Sequence, residues 1–414
     1  MAPPRARDVD NAYGLPPGIG IREFIALIAF LTSIIALSID AMLPALPIIG
    51  RDFALEDEND RQLVIIAFVL AFGPSQLIFG PLSDAFGRRR ILLAGLIVFG
   101  ASSFAALAAN SFEWLLAARV VQGISASAVR ICTNAIVRDC FAGREMARVM
   151  SFVFTVFILI PIAAPAIGQL IITISDWHMI FALFGVVSAL LGVWYLVRLP
   201  ETLPLDARRP LELTPLLAAF GEILSNRIAL GYTLAVTLFF GGLFSFIVSI
   251  QQIIETIYGA QDWFVLIFAI SSAFIGAASL ANASLVRKHG MRRISHLALL
   301  SFTTFGAVLL VWAWMATPPL FATIALISLI MGSFGFVAGN FNALAMEPLG
   351  HIAGAASSIL GTISFTGGAI LGGITGQFFN GTLVPLASAY TVFGLVALGL
   401  ILWTERGHLF AAGD

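Results

Sequence analysis

Along most of the chain apolar residues run together instead of alternating with polar ones. Twelve such stretches occur, at about 24–47, 62–82, 91–109, 113–135, 150–173, 179–198, 229–250, 263–286, 294–316, 320–343, 354–378 and 386–403. Each is close to the roughly 20 residues that carry a helix across a bilayer core. Backbone groups in lipid must be satisfied within their own segment, so long unalternating runs are predicted to be helices. The pattern predicts an all-α membrane protein with twelve transmembrane helices.

Composition and charge sharpen that picture. With 59% hydrophobic and 11% charged residues and a mean hydropathy of +0.98, the chain cannot fold in water without exposing a large apolar surface. It is expected to live in a lipid bilayer. A net charge of -1 gives no electrostatic reason for a nucleic-acid partner. Cys132 and Cys140 lack the spacing of a metal site or disulfide framework and are expected to be packing residues, so no metal or other cofactor is expected. When loops are assigned alternately to the two sides, 18 of the 22 basic residues fall on one side and only Arg51 and Arg61 on the other. The positive-inside rule then places both termini of a multi-pass protein in the cytoplasm. The first span is too long and too charged near its end for a cleaved signal peptide. Residues 1–22, polar and rich in Pro and Gly, are expected to be a disordered cytoplasmic tail.

The longest polar connection, residues 200–227, follows the sixth span. It divides the chain into a six-helix bundle at 23–199 and another at 228–404, with a short tail at 405–414. The second part of the connection, LTPLLAAFGEILSNR, has helical spacing and suits either a membrane-surface helix or a solvated linker. After the second span comes GPLSDAFGRRRI and after the eighth ANASLVRKHGMRRI, which align Gly87 with Gly290 and Arg89 and Arg90 with Arg292 and Arg293. Two pseudo-symmetric bundles are expected, with a substrate held between them near the midplane and reached alternately from each side.

Few groups in the spans can carry charge. Asp40 closes the first apolar run, and Arg119 and Arg130 lie in the fourth. An isolated charge there costs several kcal/mol or more, so each residue implies a partner, water or a function. At 1.5 Å per residue Asp40 and Arg119 fall at similar depth and are expected to face each other. Desolvation would oppose charge on Asp40 and Arg119 would favour it, the balance a proton carrier needs; a permanent ion pair is the alternative. Arg130 lies within about 20° of Arg119 around the helix, with Gln122 beside this stripe, and is open to a substrate-attracting or a structural reading. In the seventh span Phe240 and Phe244, with small residues between, suit a cleft for an amphipathic substrate, although packing or lipid-facing phenylalanines are commoner.

Several of these residues also carry a resemblance. GPLSDAFGRRR, residues 80–90, resembles the loop signature of the major facilitator superfamily, with Gly80, Leu82, Asp84, Gly87, Arg88 and Arg89 in place and Ala85 where many members have a basic residue. Arg119, Gln122 and Gly123 resemble the superfamily's fourth-helix motif, which is linked there to proton coupling. IPIAAPAIGQ, with Pro161, Pro165 and Gly168, resembles the fifth-helix motif of the antiporter branch, although Ala164 and Gln169 replace two of its glycines. LSIDAMLPALP, AIVRD at 135–139 and PET at 200–202 are similar to the drug/proton antiporter subgroup that includes bicyclomycin and chloramphenicol exporters.

With that loop signature, gating by Asp84, Gly87, Arg88, Arg89 and Asp139 is expected, with Arg88 paired to Asp139 and Asp84 accepting from amides at the start of the eleventh span; a loop that merely enforces topology is the alternative. A monomer in a bacterial inner membrane that exchanges protons for a small-molecule substrate is expected. The expected function is proton-coupled efflux of small amphipathic compounds. Import of a metabolite on the same fold, with Asp40 and Arg119 as a static pair, is the competing expectation. An intramembrane enzyme is disfavoured, because the five histidines are scattered near span ends and no paired carboxylates occur.

Overall fold

A computed structural model of the chain describes residues 15, 19–208, 210–211 and 214–410. The expected disordered tail falls almost wholly outside the described residues. All regular structure among them is helical. The α-helices are α1 (Ile21–Asp40), α2 (Leu46–Asp52), α3 (Leu63–Phe86), α4 (Arg88–Leu107), α5 (Phe112–Cys140), α6 (Gly143–Ile174), α7 (His178–Arg198), α8 (Thr214–Ser225), α9 (Arg227–Thr256), α10 (Phe264–His289), α11 (Met291–Met315), α12 (Leu320–Met346), α13 (Ala353–Gln377) and α14 (Val384–Thr404).

Among the described residues ten segments are long and apolar enough to cross a membrane. One of them, Leu320–Gln377, contains both α12 and α13, separated at Leu349 by non-helical backbone, and α6 supplies the remaining span through its apolar part Leu159–Ile174. The twelve predicted spans are therefore all present as helices. Side chains such as Ile97, Val197 and Phe321 are 69–75% exposed on the outside of this helical body. In water that would be an aggregation hazard; in a bilayer it is the lipid-facing surface.

Polar residues fix where several helices begin. Ser111 caps α5 by accepting from the Trp114 amide at 3.2 Å. Asn226 caps α9 by accepting from the amides of Ile228 and Ala229. Such caps satisfy donors that a helix start leaves orphaned. Pro161 and Pro165 lie within α6, which continues through both to Ile174.

The packing repeats with a period of six spans. In the first bundle α3 packs on α5, α4 on α5 and α7, and α1 on α6; in the second, α10 packs on α12, α11 on α12 and α14, and α9 on α13. Gly87 and Gly290 occupy equivalent corners with nearly the same backbone, φ 95° and ψ 151° against φ 79° and ψ 154°. This region of backbone space is essentially restricted to glycine, so the aligned glycines are the same structural part used twice. Between the bundles the main seams join α3 to α13 and α6 to α10. The α3–α13 seam is lined by small groups: the Thr362 hydroxyl donates to the Gly73 carbonyl at 3.1 Å, and Gly373 lies against Ile66, Gly361 against Gln76 and Ser358 against Gly80.

The connection between the bundles contains a helix. Its second part forms α8, which turns Ala219 and Ile223 inward against α9 and α13 and leaves Leu217 and Leu224 exposed. The helical spacing read in the sequence is present as this helix, with an exposed apolar edge.

Candidate functional site

The first-bundle charges do not pair as expected. Arg119 is fully buried on α5. Its Nε donates to the Val64 carbonyl of α3 at 2.9 Å, one Nη to the Ser38 carbonyl of α1 at 3.0 Å, and the other Nη to Gln122 Oε1 at 2.9 Å. Its guanidinium carbon stands 4.6 Å from the Phe68 ring centre. Backbone carbonyls and a ring face thus replace the carboxylate as its partners. Asp40, two residues beyond Ser38, is buried at 4% exposure and makes neither a hydrogen bond nor an ion pair among the described residues. The expected facing pair is corrected accordingly: Arg119 reaches α1 at the backbone and does not touch the acid. The static-pair form of the importer reading loses its contact as well.

Gln122 also turns out differently. It is fully buried, and its amide donates to Ser103 on α4 at 2.8 Å while its carbonyl accepts from Arg119. It therefore ties α5 to α4 inside the bundle rather than lining a cavity with Arg130. Gly168 on α6 lies over the carbonyl of Ala41, the residue after Asp40; a Cβ there would come within 2.0 Å of that oxygen. The antiporter-type glycine is thus what lets α6 close over the end of α1.

Arg130 lies instead at the junction of the bundles. Its guanidinium carbon is 5.0 Å from the ring centre of Phe365 on α13 and 6.0 Å from that of Phe72 on α3. Phe365 in turn packs against Phe240 at 4.6 Å, Phe72 at 5.3 Å and Phe244 at 6.1 Å, and Phe240 meets Phe334 at 5.3 Å. Of the candidates for a substrate cavity, Arg130, Phe240 and Phe244 are brought together. Phe365 and Phe72 complete the cluster. Sequence reasoning missed them because nothing in a run of apolar residues marks which phenylalanine faces the other bundle.

On the face carrying the basic loops, Arg88 is buried and central. Its Nε donates to Asp139 at 3.1 Å, and its Nη1 to Ser83 at 2.8 Å and to Asp84. The Arg88–Asp139 pair is as expected. Asp84, however, turns to Arg88 four residues along, and no bond to the start of α13 is found among the described residues. Arg89 donates to the Leu196 carbonyl of α7 at 2.7 Å. The residue not foreseen is Glu201, whose carboxylate accepts from the amides of Arg88 and Arg89 at 2.9 and 3.2 Å and so caps α4. Its neighbour Thr202 donates to Asp139 at 3.1 Å. The short PET sequence was visible, but the partners of Glu201 lie over a hundred residues earlier. In the second bundle Arg292 stands between Glu405 at 2.9 Å and Glu347 at 3.2 Å, and the Tyr232 hydroxyl donates to Glu405 at 2.6 Å.

A polar latch joins the bundles on the opposite face. Asn59 donates to the carbonyls of Gln377 and Phe379 at 3.2 and 3.0 Å and accepts from Gln252 at 2.9 Å. Gln62 donates to Gln252 at 2.7 Å, Gln377 donates to the Asn59 carbonyl at 3.1 Å, and Arg61 pairs with Glu255 at 3.4 Å. The structure is therefore closed at this face.

Two repeated bundles meeting at an aromatic and polar seam, latched at one face, are the architecture of a membrane transporter. A sequence profile of the Major Facilitator Superfamily matches residues 28–373. The MFS-type transporter YdgK of Bacillus subtilis is 33% identical over 386 residues, covering 91% of this chain and 94% of its own. The bicyclomycin resistance protein homolog of Haemophilus influenzae is 30% identical over 383 residues, 92% and 95% of the two chains. A solved peptide transporter, POT in complex with sulfate, superposes with a TM-score of 0.75 over 98% of each chain at 14% identity, a likeness of fold alone. The chain belongs to the Major Facilitator Superfamily and is a multi-pass membrane transporter, related in sequence to drug-resistance proteins.

Proposed function

We propose that this transporter exports small amphipathic compounds across a bacterial inner membrane in exchange for protons, with both termini cytoplasmic. The observation that carries the reading is Asp40, a buried acid without a cation partner among the described residues. Enclosed in that way a carboxyl group is cheaper neutral than charged, and exposure to water reverses the preference. Alternation of the bundles would therefore load and unload a proton at Asp40. Arg119, held by two backbone carbonyls and Gln122, would act on that acid as a fixed nearby cation without bonding it.

The substrate seat would be the cluster of Arg130, Phe72, Phe240, Phe244 and Phe365. Opening the bundles separates Arg130 from Phe365 and exposes a cation beside aromatic faces, which suits neutral or anionic compounds with an apolar body. The name of the Haemophilus influenzae relative, a bicyclomycin resistance protein homolog, supports export as the direction. Each proton moved inward provides about 2.3 kcal/mol per 100 mV of membrane potential, plus the pH gradient.

The test is uptake into everted membrane vesicles energised by an imposed pH gradient, using a labelled antibiotic to which cells carrying the protein become less sensitive. Asp40→Asn is expected to abolish gradient-driven accumulation while leaving the protein in the membrane. Accumulation by that variant at the wild-type rate and with the wild-type pH dependence would remove Asp40 from the coupling mechanism.

A further inference from the structure

Away from the seam, the second bundle carries a groove that transport by alternating access does not use. Helices α10 and α11 each pack closely on α12 but touch one another little, so they diverge over α12 as over a floor. The space between them is about 760 Å³, a volume typical of small-molecule sites. It exists because the facing positions are small: Ala277, Ala278 and Ala281 on α10 and Gly332 on α12. Its walls at the inner end are Phe274 and Phe305, and Leu285 and Leu297 flank it nearer the basic face; Phe274, Leu285 and Leu297 are exposed, so the groove opens to the surroundings of the bundle.

The dimensions match one leaflet. From Phe274 to His289 the groove follows 15 residues of α10, about 22 Å at 1.5 Å per residue. Half of a bilayer with its headgroups is roughly 20–22 Å. The apolar end therefore reaches the midplane and the other end reaches headgroup level. At that mouth stand Arg293 and His289, which line the groove, with Arg287 and Lys288 on the same corner. Arg292 is taken up by Glu405 and Glu347, whereas Arg293, Arg287 and Lys288 form no ion pair among the described residues. The mouth is thus an uncompensated cationic rim on an apolar slot.

We propose that the groove between α10 and α11 binds one anionic phospholipid of the leaflet on the basic face, with acyl chain along Ala277, Ala281 and Gly332 and phosphate at Arg293 and His289. The occupant follows from charge complementarity. A cation near the membrane surface is worth about 1 kcal/mol toward anionic lipid, roughly a fivefold preference over a zwitterionic headgroup, while an apolar slot alone would accept any acyl chain.

Native mass spectrometry of the whole protein, released from nanodiscs containing equal phosphatidylglycerol and phosphatidylethanolamine, reads this directly. One phosphatidylglycerol per chain is expected to survive release in preference to phosphatidylethanolamine. Arg293→Gln, an exposed substitution, is expected to lower that preference about fivefold, and Ala281→Phe to remove the retained lipid by filling the slot. Equal retention of the two lipids by wild type, or a preference that Arg293→Gln leaves unchanged, overturns the proposal. So does a second copy of the chain, or a drug molecule, found in place of the lipid and displaced by Ala281→Phe. Fluorescence-detected size exclusion confirms that each variant is folded before its lipid content is read, and Arg293→Gln keeps the proposal testable if Ala281→Phe does not fold.

Discussion

Alanine at Gly87 and at Gly290 provides a comparison in which the repeat acts as its own control. Both glycines occupy backbone conformations that cost a residue with a Cβ about 1–3 kcal/mol. At Gly290 that is the whole effect, because an added Cβ would meet no atom within 4 Å. At Gly87 the same atom would lie 2.3 Å from Glu201 Oε2 and 2.8 Å from Arg208 Nη2. The Oε2 oxygen must then shift, which loosens its bond to the Arg89 amide. A hydrogen bond to a charged group contributes about 1.5–3 kcal/mol, so its loss adds up to about that much. Gly87→Ala is expected to lower the melting temperature in detergent far more than Gly290→Ala. In a Glu201→Ala background the excess should disappear and the two alanines should cost about the same. Equal effects in the native background, or an excess that persists without Glu201, would show that the Glu201 cap is not what makes position 87 special.

The polar latch and the second bundle's charge cluster yield two more expectations. Glu255→Gln weakens the bond from Arg61; a loss of about 1–3 kcal/mol should shift the bundles toward opening at the latch face, seen as faster labelling of an Ile66→Cys probe by an impermeant thiol reagent in a protein lacking Cys132 and Cys140. An unchanged labelling rate would mean that Arg61–Glu255 does not hold the seam. Burial alone would raise the pKa of Glu405, but the Tyr232 hydroxyl and Arg292 outweigh it and hold the carboxyl below the usual range. For an acid depressed by folding, the stabilisation is full above its unfolded pKa and is lost as pH falls through its folded one. Tyr232→Phe should accordingly cost about 1.5–3 kcal/mol at neutral pH, with the gap from wild type closing in acid; a gap constant with pH would contradict the assignment.

What could be read in the sequence was whatever repeats locally or obeys the bilayer. Span positions follow from a length requirement, and the Gly87–Gly290 match follows from a turn that only glycine permits. Arg88 with Asp139 was legible because the resemblance supplied the partner. Asp40 and Arg119 show the limit: similar depth allowed contact, but an arginine has five donors and found carbonyls on two neighbouring helices. Gln122 shared a helical stripe with Arg130, yet the bundle buries that part of the stripe and leaves Arg130 at the seam. Glu201, Phe365 and the Asn59 latch had no local signal, since each gains its role from a residue distant in sequence. The polar run NDRQ before α3 and the glutamines ending α9 were the available hints, and neither names the other.

The α3–α13 seam has a mechanical consequence. Apart from the Phe72–Phe365 contact, glycine and hydroxyl surfaces fit closely with few interlocking teeth to disengage, so the two helices would roll over one another as in a bearing. The conformational equilibrium would then be set by a handful of amide and carboxylate catches at the rim, leaving the seat for cargo free to change without retuning the motion.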